Sequence, residues 1–241
     1  MVMNEMMQFI KQMSGRLNAN DIANQTDAKK IAYMRNLQRE LKQKDVLSIP
    51  FDELSVVVFD IETTGFYPYN GDRILSIGAV KMKGDQVLED DLFYSTIYSA
   101  KGVPENIEEL TGITASELLQ AAPLPEVLRE FFQFVQTDTL VAHHSAHEKQ
   151  FMKHANWIAL KSSFEHRIID TSFLTKITEP ELAMVSLDDF CSYYQIEIKR
   201  RHHALYDAMA TARLWSENIK KVKAMGFENM KDIYTHLASQ G

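Results

Sequence analysis

The sequence predicts an α/β fold: a mixed central β-sheet flanked by helices, with an N-terminal helical extension before it. Three observations predict it. Leu54-Ser55-Val56-Val57-Val58 is an apolar, β-branched run of the kind that forms a strand buried on both faces. Two further strand-like segments follow it across turn residues, which makes a meander. After them, helical and strand periodicities alternate, the order that gives a sheet covered by helices on both sides.

The elements are expected in this order. Met3, Met6, Met7, Ile10 and Met13 recur at helical spacing over the first fifteen residues. Residues 27–43 carry Ile31, Met34, Leu37 and Leu41 on one face, with Lys29, Lys30, Arg35, Arg39 and Lys42 elsewhere, a second amphipathic helix with a basic surface. Ser48-Ile49-Pro50 marks a junction, so residues 1–50 are assigned to the extension and 51–241 to the main domain. Leu54–Asp60 is the first strand. A turn carrying Pro68, Asn70 and Gly71 leads to Arg73–Lys83, and Lys83-Gly84-Asp85 turns the chain back into Gln86–Ile97. Pro104–Leu110 is a short helix. Pro125–Gln136 is a longer one with Val127, Leu128, Phe131, Phe132 and Val135 on its apolar side. Thr139–Ala142 and Ile168–Asp170 are short strands around the helix Ser145–Leu160. Ser186–Tyr194, Ala204–Val222 and Asn229–Ser239 are the closing helices.

Composition narrows the class. The chain has 241 residues, enough for one well-buried domain and an appendage. A single cysteine, Cys191, excludes an intrachain disulfide and a cysteine-rich zinc site. Neither a signal peptide nor a membrane span of about 20 apolar residues is legible, so the expected setting is cytoplasmic and off the membrane. The net charge of −7 argues against a broad grip on duplex nucleic acid. It divides unevenly: 8 Lys/Arg against 5 Asp/Glu in residues 1–50 gives +3, and 18 against 28 in the remainder gives −10.

The segment Phe59-Asp60-Ile61-Glu62-Thr63-Thr64-Gly65 poses a chemical problem. Side chains two apart on a strand share a face, so Asp60 and Glu62 project together. Bare carboxylates on a buried strand are costly unless paired or bound to a metal. One or two divalent cations held near the point where Gly65 lets the chain turn resolve the cost.

Two later segments extend this: Leu140-Val141-Ala142-His143-His144-Ser145-Ala146-His147-Glu148, and Arg201-His202-His203-Ala204-Leu205-Tyr206-Asp207. In this order, the three segments resemble the exonuclease motifs of the DnaQ-like family, whose signature is called DEDDh and which includes the proofreading epsilon subunit of bacterial replicative polymerase and RNase T. The resemblance covers roughly Leu54 to Trp215 and implies a ribonuclease H-like fold. It implies a 3′–5′ exonuclease that acts on single-stranded 3′ ends, with DNA weighed slightly above RNA, and releases nucleoside 5′-monophosphates. It further implies two divalent cations, Mg²⁺ or Mn²⁺, which suit oxygen ligands. Asp60 would bridge both ions, Glu62 and Asp207 would complete the first site, and Glu148 would support the second. His202, five residues before Asp207 as in the family, would take a proton from the attacking water. The backbone around Thr63, Thr64 and Gly65 and the ring of Phe66 would seat the terminal nucleotide. No polymerase segment is recognisable in these residues, so a proofreading role implies a separate partner.

The middle motif departs from the family. The family pattern is His-Asn, three residues, then Asp, whereas here Glu148 stands at the aspartate position, one methylene further from the backbone. That departure is the one support for an alternative: a catalytically weak nucleic-acid-binding or scaffold module that keeps the fold. His143 and His147, four apart, fit two ligands of a zinc site, but with no third ligand nearby a hydrogen-bonded histidine is the expectation. Asp170 reads as a strand-end cap, Asp188 and Asp189 as an acidic helix N-terminus, and Cys191 as a small buried hydrophobe. Residues 1–45 are the expected place for a protein partner or self-association.

Overall fold

The computed structural model describes residues 45–182 and 184–239, so the two N-terminal helices expected from the sequence lie outside the described residues. Five strands form one mixed sheet: β1 (Ser55–Thr63), β2 (Ile74–Lys83), β3 (Gln86–Thr96), β4 (Thr139–Ala142) and β5 (Ile168–Asp170). Their order is β3-β2-β1-β4-β5. The meander β1–β2–β3 is antiparallel, while β4 lies parallel to β1 and β5 parallel to β4. Among the described residues the helices are α1 (Glu105–Thr111), α2 (Ala115–Gln120), α3 (Leu124–Val135), α4 (Ala146–Leu160), α5 (Ser172–Thr178), α6 (Leu187–Tyr194), α7 (Ala204–Ala224) and α8 (Met230–Ser239).

The expected strands and long helices recur within a residue or three of their predicted bounds. Two short helices, α2 and α5, were not anticipated. The first has a legible signal: Thr114 accepts a hydrogen bond from the Glu117 amide, the cap expected of Thr-x-x-Glu.

The two faces of β1 divide the core. Val56 and Val58 pack with Val80, Met82, Val141 and Ile169 of the sheet against Ala212, Trp215, Ile219 and Val222 of α7. Phe59, on the opposite face, meets Phe131 of α3 with ring centroids 5.7 Å apart. Both faces are therefore dry, and the whole run Val56–Phe59 is buried. Burial of this apolar area at roughly 25 cal/mol per Å² is the main term holding helices to the sheet. Leu47 and Ile49 pack against the same α7-side core. No helix among the described residues is long and apolar enough to cross a membrane.

Candidate active site

The site begins where β1 outruns its parallel neighbour. β1 and β4 pair only from Val56–Thr139 to Val58–Val141. Beyond that, β1 continues to Thr63 while β4 stops at Ala142 and the chain turns into α4. The divergence opens a crevice at the carboxyl ends of parallel strands, the usual place for a ligand in such sheets. Asp60 and Glu62 sit in the stretch of β1 that borders it, on the face that packs against α7. The register of β1 against β2 shifts between Glu62 and Thr63, so the strand bends directly after the second carboxylate.

Asp207, in the first turn of α7, comes down on the same face. One ligand oxygen from each of Asp60, Glu62 and Asp207 lies within 4.8 Å of the others. Glu148, in the first turn of α4, stands outside that trio, but its charge reaches Asp60. Burial raises the Asp60 pKa well above the usual range, and the charges of Glu62, Glu148 and Asp207 add to it. Burial pushes Glu62 up to about 7, with Asp207 adding to the shift. Glu148, only 4% exposed, is pushed up to about 8, again by burial. Asp207 is raised for the same reason. Four carboxyl groups that resist ionisation together form a site that wants cations.

The polar atoms agree. Asp207 Oδ2 accepts hydrogen bonds from the Arg201 guanidinium and from the His202 amide at 3.0 Å. Its other oxygen, Oδ1, is buried without a partner, as is Oε2 of Glu148. Such orphaned atoms are rare in protein interiors. An all-oxygen donor set with open lone pairs fits a hard divalent cation.

Arg201 was missed by sequence reasoning. It links Asp207 to Asp188 in α6, with contacts to Asp188 of 2.7 and 3.0 Å. Its position next to His202 was the only signal available. His202 itself has φ 55°, left-handed backbone that histidine tolerates better than most side chains. It is half-buried and close enough to Asp188 and Asp207 to favour their charged forms. His203, left without a role, stacks on Tyr94 of β3 at 4.6 Å and so fastens the entry of α7 to the sheet.

The remaining residues divide between the turn and the supporting shell. Thr63 Oγ1 donates to the Gly65 carbonyl at 2.7 Å and lies 3.4 Å from His147 Nε2. Thr64 Oγ1 donates to Asp72 at 3.0 Å and accepts from the Arg73 amide. A Cβ on Gly65 would meet the Asp72 carboxylate at 2.5 Å, so a larger residue there requires Asp72 to move off Thr64. Phe66 is 74% exposed beside this turn, edge-on to His147 at 5.7 Å. His143 is held by Thr171 at 2.7 Å and by the Val185 carbonyl at 2.9 Å, and burial lowers its pKa. It is a hydrogen-bonded histidine, and the described residues bring no zinc trio together around His143 and His147. Asp170 accepts from the amides of Ser145 and Ser172, capping the starts of α4 and α5. Cys191 is buried, its thiol pushed up to about 11 by that burial.

Comparison with known proteins places this geometry. The family model for RNase T, described as Exonuclease, matches residues 57–215. The DNA polymerase III PolC-type protein of Clostridium perfringens is 36% identical over 174 residues, 72% of this chain and 12% of that protein. A DNA polymerase III subunit epsilon-like protein of Rhodobacter capsulatus is 29% identical over 194 residues, covering 80% of this chain and 27% of its own. The chain thus spans about an eighth of the PolC-type relatives it matches. Among solved structures, E. coli Exonuclease I in complex with a dT13 oligonucleotide superposes with TM-score 0.59 at 14% identity, covering 72% of this chain and 42% of that one. A 3′-exonuclease in a structure of 3′-end-specific recognition of a histone mRNA stem-loop reaches TM-score 0.62 at 16% identity, covering 85% and 75%. These structural likenesses establish the fold.

Proposed function

We infer the function from one premise: this chain belongs to the RNase T family of exonucleases. It acts as a 3′–5′ exonuclease on single-stranded nucleic-acid ends and releases nucleoside 5′-monophosphates. The observation that carries this reading is the convergence of Asp60, Glu62 and Asp207 within 4.8 Å on one face of β1. A scaffold has no physical use for three mutually repelling carboxylates, with Glu62 and Asp207 buried beside a half-buried Asp60.

Asp60, Glu62 and Asp207 would hold a divalent cation, and Glu148 would support a second. When bound, such ions neutralise phosphate charge and stabilise the leaving oxygen of an in-line displacement. Mg²⁺ and Mn²⁺ both suit the oxygen set. The chain's own residues do the rest. Arg201 and the His202 amide fix one oxygen of Asp207 and leave the other open to the site. His202 accepts the proton of the attacking water, a task that suits an imidazole near neutral pH. Phe66 offers an exposed ring for the terminal base, and the Thr63–Gly65 backbone lines its sugar. The PolC-type and epsilon-like names of the relatives support a polymerase as partner and DNA as substrate.

The test is digestion of 5′-labelled single-stranded DNA and RNA of one sequence with Mg²⁺, Mn²⁺ or EDTA. A metal-dependent ladder shortening from the 3′ end is expected, with the sugar preference read from the two rates. Internal cuts, or shortening from the 5′ end, overturn the reading.

A further inference from the structure

Outside the carboxylate crevice, α4 presents an exposed aromatic face. His147 carries Phe66 at its active-site end. Two turns on, His154 carries Tyr69 edge-on at 5.1 Å, and Tyr69 is 68% exposed. Trp157, the next residue on that face, is 62% exposed, with Ile158 beside it. At 1.5 Å per residue the face runs about 15 Å from His147 to Trp157. Large aromatics left in water in a row call for an explanation that single exposed ones do not.

Charge names the occupant. Lys149 and Lys153 are exposed on α4 and Lys161 caps its end, while its one acid, Glu148, is buried in the site. In a chain of net charge −7, this helix shows solvent only positive charge. On the exposed side of α4 the lysines line one edge and the rings the other, with Trp157 between, the composition that binds a single strand without reading its sequence. The face also starts at His147, which lies 3.4 Å from Thr63 at the end of the carboxylate-bearing strand, so a strand leaving the crevice passes it.

We propose that α4 and the Pro68–Asn70 turn form a track for the strand 5′ of the scissile bond, its bases stacking on Tyr69 and Trp157 and its phosphates meeting Lys149, Lys153 and Lys161. The direction rests on the exonuclease reading: an enzyme that consumes a 3′ end leaves only 5′-ward nucleotides to lie elsewhere. The track makes the enzyme one for strands of several nucleotides, with short products falling off it.

The experiment uses Trp157 as its own probe. The chain has two tryptophans, and Trp215 is buried, so quenching by a stacked base reports Trp157. The full chain is titrated, in EDTA and in Ca²⁺, with thymidylate dinucleotide and with twelve-nucleotide oligothymidylate and oligouridylate. Saturable quenching by a twelve-mer and not by the dinucleotide is expected, and Trp157→Phe removes the signal. With Mg²⁺ or Mn²⁺, the Tyr69→Ala, Trp157→Ala double variant raises KM for the twelve-mer about ten- to a hundredfold and leaves dinucleotide turnover unchanged. No quenching by either twelve-mer under either condition, or equal losses on long and short substrates, overturns the track. Quenching without hydrolysis of any substrate by the wild-type chain upholds a single-strand track on α4, removes its 5′ direction and sinks the exonuclease reading.

Discussion

Gly78 lies under the backbone of Ala204: a Cβ on it would sit 2.2 Å from the Ala204 carbonyl carbon and the Leu205 nitrogen. Gly78 is also the register partner of Asp60 across β1 and β2, on the same face of the sheet. The missing side chain beside one carboxylate is what lets the first turn of α7 settle on the sheet and bring Asp207 to the other two.

Gly78→Ala is therefore expected to lift the start of α7. The clash is with backbone, which cannot rotate away, so stability falls by about 3 kcal/mol. Activity falls by about a hundredfold in protein that still folds, because a displacement near 1 Å misplaces a catalytic group. Thermal unfolding and single-turnover hydrolysis on the same sample check both.

Arg201 anchors Asp207 by one oxygen and Asp188 by both. Arg201→Ala leaves the buried Asp207 without its cation and held by the His202 amide alone. The loss of charged hydrogen bonds costs about 1–3 kcal/mol in EDTA. The metal concentration giving half-maximal activity rises, as read by a Mg²⁺ titration of initial rates. An unchanged titration curve would mean Arg201 plays no part in presenting Asp207.

Without metal, pH works against the site. Glu62 and Glu148 titrate near 7 and 8 in the folded protein against an ordinary 4.5. The folded state thus holds these protons more tightly than the unfolded chain. The stability they confer is fully present below the ordinary carboxylate range and is lost as pH rises through the folded values. In EDTA, Tm falls from about pH 4.5 until it levels off near pH 8, by an amount equivalent to a few kcal/mol. Divalent ions replace the protons, so the Tm gained on adding Mg²⁺ grows over the same window. A flat EDTA profile there would contradict the assignment.

Glu148→Gln separates stability from function. The amide fills the same space without a buried, unpartnered charge. Tm in EDTA at about pH 8 and above should rise, while metal-dependent hydrolysis is lost. Glu148→Asp, by contrast, keeps the charge and retains or gains activity.

The sequence made the β1 carboxylates, the meander of the first three strands and most helix bounds legible because each rests on a local pattern. Period-two burial placed Asp60 and Glu62 together, and the fixed spacing from His202 to Asp207 located the entry to α7. What stayed hidden was tertiary. Arg201 is a surface-type residue until the fold brings Asp188 and Asp207 to either side of it. Gly78 reads as a weak point in a strand, and its purpose exists only once α7 lies across it. The face Tyr69–His154–Trp157 joins a turn to a helix more than seventy residues later, which no local periodicity can report. In α2, the Thr114-to-Glu117 cap was present and overlooked. For α5, Ser172–Thr178 follows a three-residue strand with no glycine or proline to announce it.

The most direct measurement compares wild type with Asp60→Ala for hydrolysis of a 5′-labelled single strand in Mg²⁺, Mn²⁺ and EDTA, with Tm taken on the same preparations. The account predicts that the variant loses hydrolysis by several orders of magnitude while its Tm in EDTA is unchanged or higher, since one of the repelling carboxylates is gone. Near-normal turnover by a folded Asp60→Ala protein would contradict it and place the chemistry somewhere other than the carboxylates of β1.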